Sequence, residues 1–119
     1  MGFGDAIRTC LNKYFTIQGR ASRSEYWWFY LFVFLVGTVP TQLGAAMQSN
    51  LITIIGGLIS LALLVPIITA GIRRLHDKDK SGWWFLIGLV PIVGIILLLV
   101  WFVTEGTKGP NRFGEDPLA

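Results

Sequence analysis

The densest chemistry in the chain is the run Arg73-Arg74-Leu75-His76-Asp77, where an imidazole lies beside a carboxylate and two guanidiniums. Such a set could move a proton or hold a phosphate at a membrane edge. Consecutive helical residues do not face one point, so the run needs partners from elsewhere. Arg20, Arg23 and Glu25 supply them in type, giving a candidate polar or lipid-headgroup cluster of Arg20, Arg23, Glu25, Arg73, Arg74, His76 and Asp77. Plainer roles compete. Arg73 and Arg74 suit topology and contact with lipid phosphate, and Glu25 suits a helix cap. The cluster could hold an anionic lipid or help to fasten helices together.

Other residue types offer less. Between Glu105 and Pro117 the chain carries Asn111, Arg112, Glu115 and Asp116 among glycines. The closely alternating oxygen ligands of a hard-metal loop are missing, so a structured loop or a partner contact is expected and no metal or cofactor. Cys10 is the single cysteine, which rules out an intramolecular disulfide and a cysteine-based metal cluster. Packing is its expected role.

The elements that must position these groups follow from composition. Hydrophobic residues make up 53% and charged residues 14%, with a mean hydropathy of +0.60, whereas soluble domains are about 25% charged. No charge occurs from Tyr26 to Ile72 or from Ser81 to Thr104. As helix, these gaps reach about 70 Å and about 36 Å, enough for two crossings and one. The predicted fold is therefore all-α: a single integral membrane domain over residues 1–119, with spans at 23–47, 51–71 and 83–103 and a polar tail at 104–119.

Residues 3–15 predict an amphipathic helix, with Phe3, Ile7, Cys10, Leu11, Tyr14 and Phe15 on one face and Asp5, Arg8, Thr9, Asn12 and Lys13 opposite. It is expected to lie in the membrane interface, with packing on its own spans as the alternative. The same segment lacks the continuous apolar core of a signal peptide. Ser22-Arg23-Ser24-Glu25 fits a capping box before span one, and Gln48-Ser49-Asn50 a turn after it. Gly37, Thr41, Gly56 and Ser60 provide small faces for helix packing. Span three contains Pro91 and Gly94, and two outcomes are open. The preferred one is a kinked crossing; the other is a re-entrant hairpin that returns the tail to the cytoplasm.

With three crossings, eight of the ten Lys and Arg residues fall on one side and two on the other, placing the N-terminus in the cytoplasm and the tail outside. Tyr26, Trp27, Trp28, Trp83 and Trp84 would then mark the inner interface, and Trp101 and Phe102 the outer one. The pI of about 9.4 and net charge of +3 do not indicate nucleic acid, because the basic residues flank apolar spans.

Three clusters carry a family resemblance: Gly19-Arg20-Ala21-Ser22-Arg23-Ser24-Glu25-Tyr26-Trp27; Arg73-Arg74-Leu75-His76-Asp77 with Ser81-Gly82-Trp83-Trp84; and the run from Glu105 to Pro117. In these motifs, their order and their spacing the chain resembles the YhaH-type bacterial inner-membrane proteins, domain-of-unknown-function family 805. The resemblance covers nearly the whole chain and implies a bacterial cytoplasmic-membrane location without implying a reaction. The leading functional expectation is a non-enzymatic accessory, assembly or lipid-binding role, with membrane lipids as partners alongside another membrane protein or a second copy. Two alternatives are a membrane-embedded enzyme acting on a lipid headgroup through His76 and Asp77, and a small oligomeric channel. An ion-coupled transporter is disfavoured, since no ionisable residue falls inside the spans.

Overall fold

The computed structural model describes residues 2–118, so Met1 and the last tail residue, Ala119, lie outside the described residues. The elements are α1 (Phe3–Asn12), α2 (Arg23–Ala46), α3 (Asn50–Asp77), a 3₁₀ segment (Gly82–Leu89) and α4 (Val93–Val103). No strand occurs among the described residues. Two helices, α2 and α3, are long and apolar enough to cross a membrane; at 1.5 Å per residue they reach about 36 Å and about 42 Å against a hydrocarbon core of about 30 Å. Their apolar side chains point outward, with Leu51, Leu58 and Leu61 each more than 60% exposed. A helix in a water-soluble core would bury them.

Each of these two helices begins on a serine. Ser22 Oγ accepts from Glu25 N–H and Ser49 Oγ from Ile52 N–H, both at 3.3 Å, satisfying donors that a helix start leaves free. The first turn closes when Ser49 N–H donates to Gly44 O at 2.8 Å, with Gln48 in the left-handed region at φ 52°, as in a Schellman ending. Across the helix pair Gly56 meets Pro40, where an added Cβ would lie 2.3 Å from the ring, and Gly37 faces Ser60. Thr41 stays exposed and donates to Gly37 O at 3.0 Å in its own helix.

Helix α1 ends at Asn12 and buries Ala6 and Cys10, while Phe3 packs edge-on against Trp28 and Phe32 at 5.7 Å and 6.4 Å between centroids. The following residues turn onto α3. Tyr14 Oη donates to Ala62 O, and Thr69 Oγ1 donates to Tyr14 O at 3.1 Å.

Residues 83–103 do not form the kinked crossing. The 3₁₀ arm and α4 fold back on one another, each about 16 Å long and too short for a core of about 30 Å. Pro91 removes a helical donor, and Ile92 sits at φ 66°, ψ −69° in a tight turn closed by Val93 N–H on Pro91 O at 2.7 Å. Gly94 then lets the arms touch, because a Cβ there would lie 1.6 Å from Ile87 O. Trp101 and Phe102, expected at the opposite interface, return to the starting end: Trp101 meets Trp84 at 5.8 Å and Phe102 meets Tyr26 at 4.6 Å.

Candidate functional site

The return of α4 gathers the three polar segments at the C-terminal end of α3. Helix ends expose carbonyls without intrahelical donors, and α4 has no basic residue in its own last turn. Neighbours supply the donors. Trp27 Nε1 donates to Phe102 O at 2.9 Å, Arg74 Nε to the same oxygen at 3.2 Å, and Arg23 to Val103 O at 3.2 Å. A second Arg74 nitrogen donates to Thr104 O.

Two buried ion groups lie beneath. In the first, Arg73 of α3 pairs with Glu25 of α2, both almost fully buried. Cys10 of α1 adjoins them, its Sγ 3.9 Å from both Glu25 Oε2 and an Arg73 nitrogen. Burial, with the Glu25 carboxylate second, pushes the Cys10 thiol up to about 11, so the protonated form prevails at neutral pH. Glu25 thus aims its carboxylate at Arg73, and only the Ser22 half of the expected capping box forms.

In the second group Asp77 is shared, accepting from Arg74 at 2.7 Å and from Arg20 at 3.0 Å. Arg20 continues into the tail, donating to Thr107 O and, at 2.7 Å, to Gly109 O. The tail answers with Thr107 N–H on Asp77 O at 2.7 Å. Gly106 permits this approach, since a Cβ there would lie 2.1 Å from Asp77 Oδ2. Three buried guanidiniums face two carboxylates, and the excess charge is met by tail and α4 carbonyls, which offset the cost of leaving water.

His76 sits at the side of this cluster. Its Nδ1 contacts Gly19 O at 2.9 Å, its ring stacks on Phe113 at 3.9 Å, and Asn111 Nδ2 donates to its backbone oxygen at 2.9 Å. Arg112 lies over the far face of Phe113 at 4.7 Å and pairs with Asp79 at 3.4 Å on the surface.

All seven residues of the predicted cluster therefore converge on one end, with Arg23 the most exposed. Among the aromatic residues, Tyr26 is buried, while Trp28, Trp83 and Trp84 are exposed. Sequence reasoning missed the tail backbone at Thr107 and Gly109, Phe113 as a ring for His76, and Gly106 as a contact glycine. Only the returning-hairpin alternative pointed toward them. No group of three metal-ligating side chains occurs among the described residues.

The sequence profile described as "Protein of unknown function (DUF805)" matches residues 14–115. Inner membrane protein YhaI of Escherichia coli (strain K12) is 43% identical over 107 residues, covering 90% of each chain. Inner membrane protein YhaH of the same strain is 41% identical over 114 residues, covering 90% of this chain and 91% of its own. No solved structure matches the chain significantly. With two helices fit to cross a bilayer and relatives named inner membrane proteins, the chain is an integral inner-membrane protein and belongs to the DUF805 family of unknown function.

Proposed function

We propose that this chain is a non-enzymatic membrane module. It crosses twice through α2 and α3, dips a short hairpin into the cytoplasmic leaflet and holds both termini in the cytoplasm. The hairpin puts all ten Lys and Arg residues on one side, a stronger asymmetry than the eight-to-two split of three crossings, and the positive-inside rule makes that side cytoplasmic. Non-helical backbone at membrane depth is tolerated where protein covers it, and the contact of Gly94 with Ile87 supplies part of that cover.

One observation carries the non-enzymatic reading: the buried charges are already spent on one another. Arg73 engages Glu25, Arg20 and Arg74 engage Asp77, and His76 uses Nδ1 on a backbone oxygen rather than on Asp77. A histidine oriented by Asp77 for acid–base work would need the contact that is absent here. The cluster fastens three segments instead. Lipidomic profiling of membranes overproducing wild-type protein and His76→Ala tests this. Identical headgroup profiles are expected, and a lipid product that disappears in His76→Ala contradicts the proposal.

A further inference from the structure

Beside the ion cluster, between the residue 17–19 loop, α3, the 3₁₀ arm and the tail, lies a cleft of about 700 Å³. That volume falls in the range of small-molecule sites, about 300–1,000 Å³. Ile17, Ile68, Ile72, Phe85 and Leu86 form its apolar walls, and Gln18, His76, Ser81 and Arg112 its polar margin. Glycines shape the wall, since a Cβ on Gly71 would lie 2.4 Å from the Phe85 ring and one on Gly82 2.8 Å from Ile72.

The polar margin is built rather than incidental. His76 is 8% exposed, yet it lines the cleft. With Nδ1 committed to Gly19 O, its other ring nitrogen has no partner among the described residues. Phe113 fixes the imidazole by stacking, and Arg112 is held over Phe113, placing a cation at the same margin. Asp79 holds Arg112 through its backbone oxygen at 3.1 Å and through an exposed ion pair, and a phosphate can displace that pair at little cost.

We infer that this cleft binds one anionic phospholipid of the surrounding membrane, an acyl chain lying along Ile68 and Ile72, the phosphate meeting Arg112 and a headgroup hydroxyl donating to the free ring nitrogen of His76. This rests on the non-enzymatic membrane reading and names the ligand that such a module holds. The occupant follows from position and charge. Exposed Ile17, Trp83 and Leu86 carry the cleft walls onto the outward apolar surface, so a chain can enter sideways. The Arg112 guanidinium favours a head of net negative charge over one whose own ammonium offsets its phosphate, and a ring nitrogen that only accepts favours a head that carries a hydroxyl.

Native mass spectrometry of delipidated protein titrated with phosphatidylglycerol or phosphatidylcholine tests the inference. Wild type is expected to retain a single phosphatidylglycerol in preference to phosphatidylcholine. Ile68→Trp, which fills the cleft, should abolish retention. Arg112→Gln, on an exposed side chain outside the buried ion groups, should weaken phosphatidylglycerol by about threefold to tenfold and narrow its preference over phosphatidylcholine. Equal retention of both lipids by wild type overturns the inference, as does unchanged selectivity in Arg112→Gln, which decides the matter if Ile68→Trp fails to fold. A bound lipid that is chemically converted refutes the non-enzymatic reading while leaving the site in place. No bound lipid, with unaltered membrane lipid profiles, refutes the site alone.

Discussion

Asp77→Ala is expected to destabilise the protein in detergent by about 3–5 kcal/mol, the cost of leaving buried charge without its partner. Arg20 and Arg74 both rely on this carboxylate, and their side chains are at most 1% exposed. Water cannot replace it without opening the cluster. The loss should also reach the tail, because Arg20 links Asp77 to the Thr107 and Gly109 carbonyls. Trypsin should then cut at Lys108 and Arg112 well before it cuts the wild type. Asp77→Asn keeps an oxygen acceptor and should fall between the two. A melting profile and a cleavage rate unchanged in Asp77→Ala would show that the cluster does not hold the tail.

Gly94→Ala is expected to cost about 3 kcal/mol, at the upper end of what overpacking usually does. The new Cβ would meet Ile87 O at 1.6 Å, and a backbone oxygen cannot step aside without parting the arms. Gly88→Ala, in the facing arm, is the control. Its Cβ meets only the tip of Leu98 at 2.9 Å, which can rotate away, so a loss below about 1 kcal/mol is expected. Melting both variants in detergent checks this, and equal losses would contradict the close contact at Gly94.

Much of the fold was legible because it depends on local signals. The long charge-free stretch, the polar triplet at Gln48-Ser49-Asn50 and the capping serine Ser22 are read from sequence alone, and α2 and α3 begin where these signals stand. The hairpin was only half legible. Pro91 and Gly94 announce a break, but whether the chain bends or turns back depends on Gly94 meeting Ile87 and on donors from Arg23, Trp27 and Arg74 for the end of α4. Those contacts join residues far apart in sequence, which no periodicity records. The same holds for the site. Residue types singled out Arg20, Glu25, Arg73 and Asp77, yet the pairing of Glu25 with Arg73 and of Asp77 with Arg20 follows from how α2 and α3 lie together. Phe113 carried no signal, since a lone aromatic in a Gly-rich tail stacks on His76 only once the tail has docked.

The central claim is that the hairpin returns the tail to the side of the N-terminus, where the three polar segments close on one another. Cysteine accessibility in cells with a permeabilised outer membrane tests it most directly, using Gly4→Cys, Gln48→Cys and Glu115→Cys one at a time. Native Cys10 stays in place, because its buried thiol, pushed up to about 11, is protonated and shielded. An impermeant maleimide should label Gln48→Cys at once, and Gly4→Cys and Glu115→Cys only after the cytoplasmic membrane is opened. Labelling of Glu115→Cys together with Gln48→Cys, while Gly4→Cys stays protected, would mean that residues 83–103 cross the membrane and that the tail cannot meet Arg20 and Asp77.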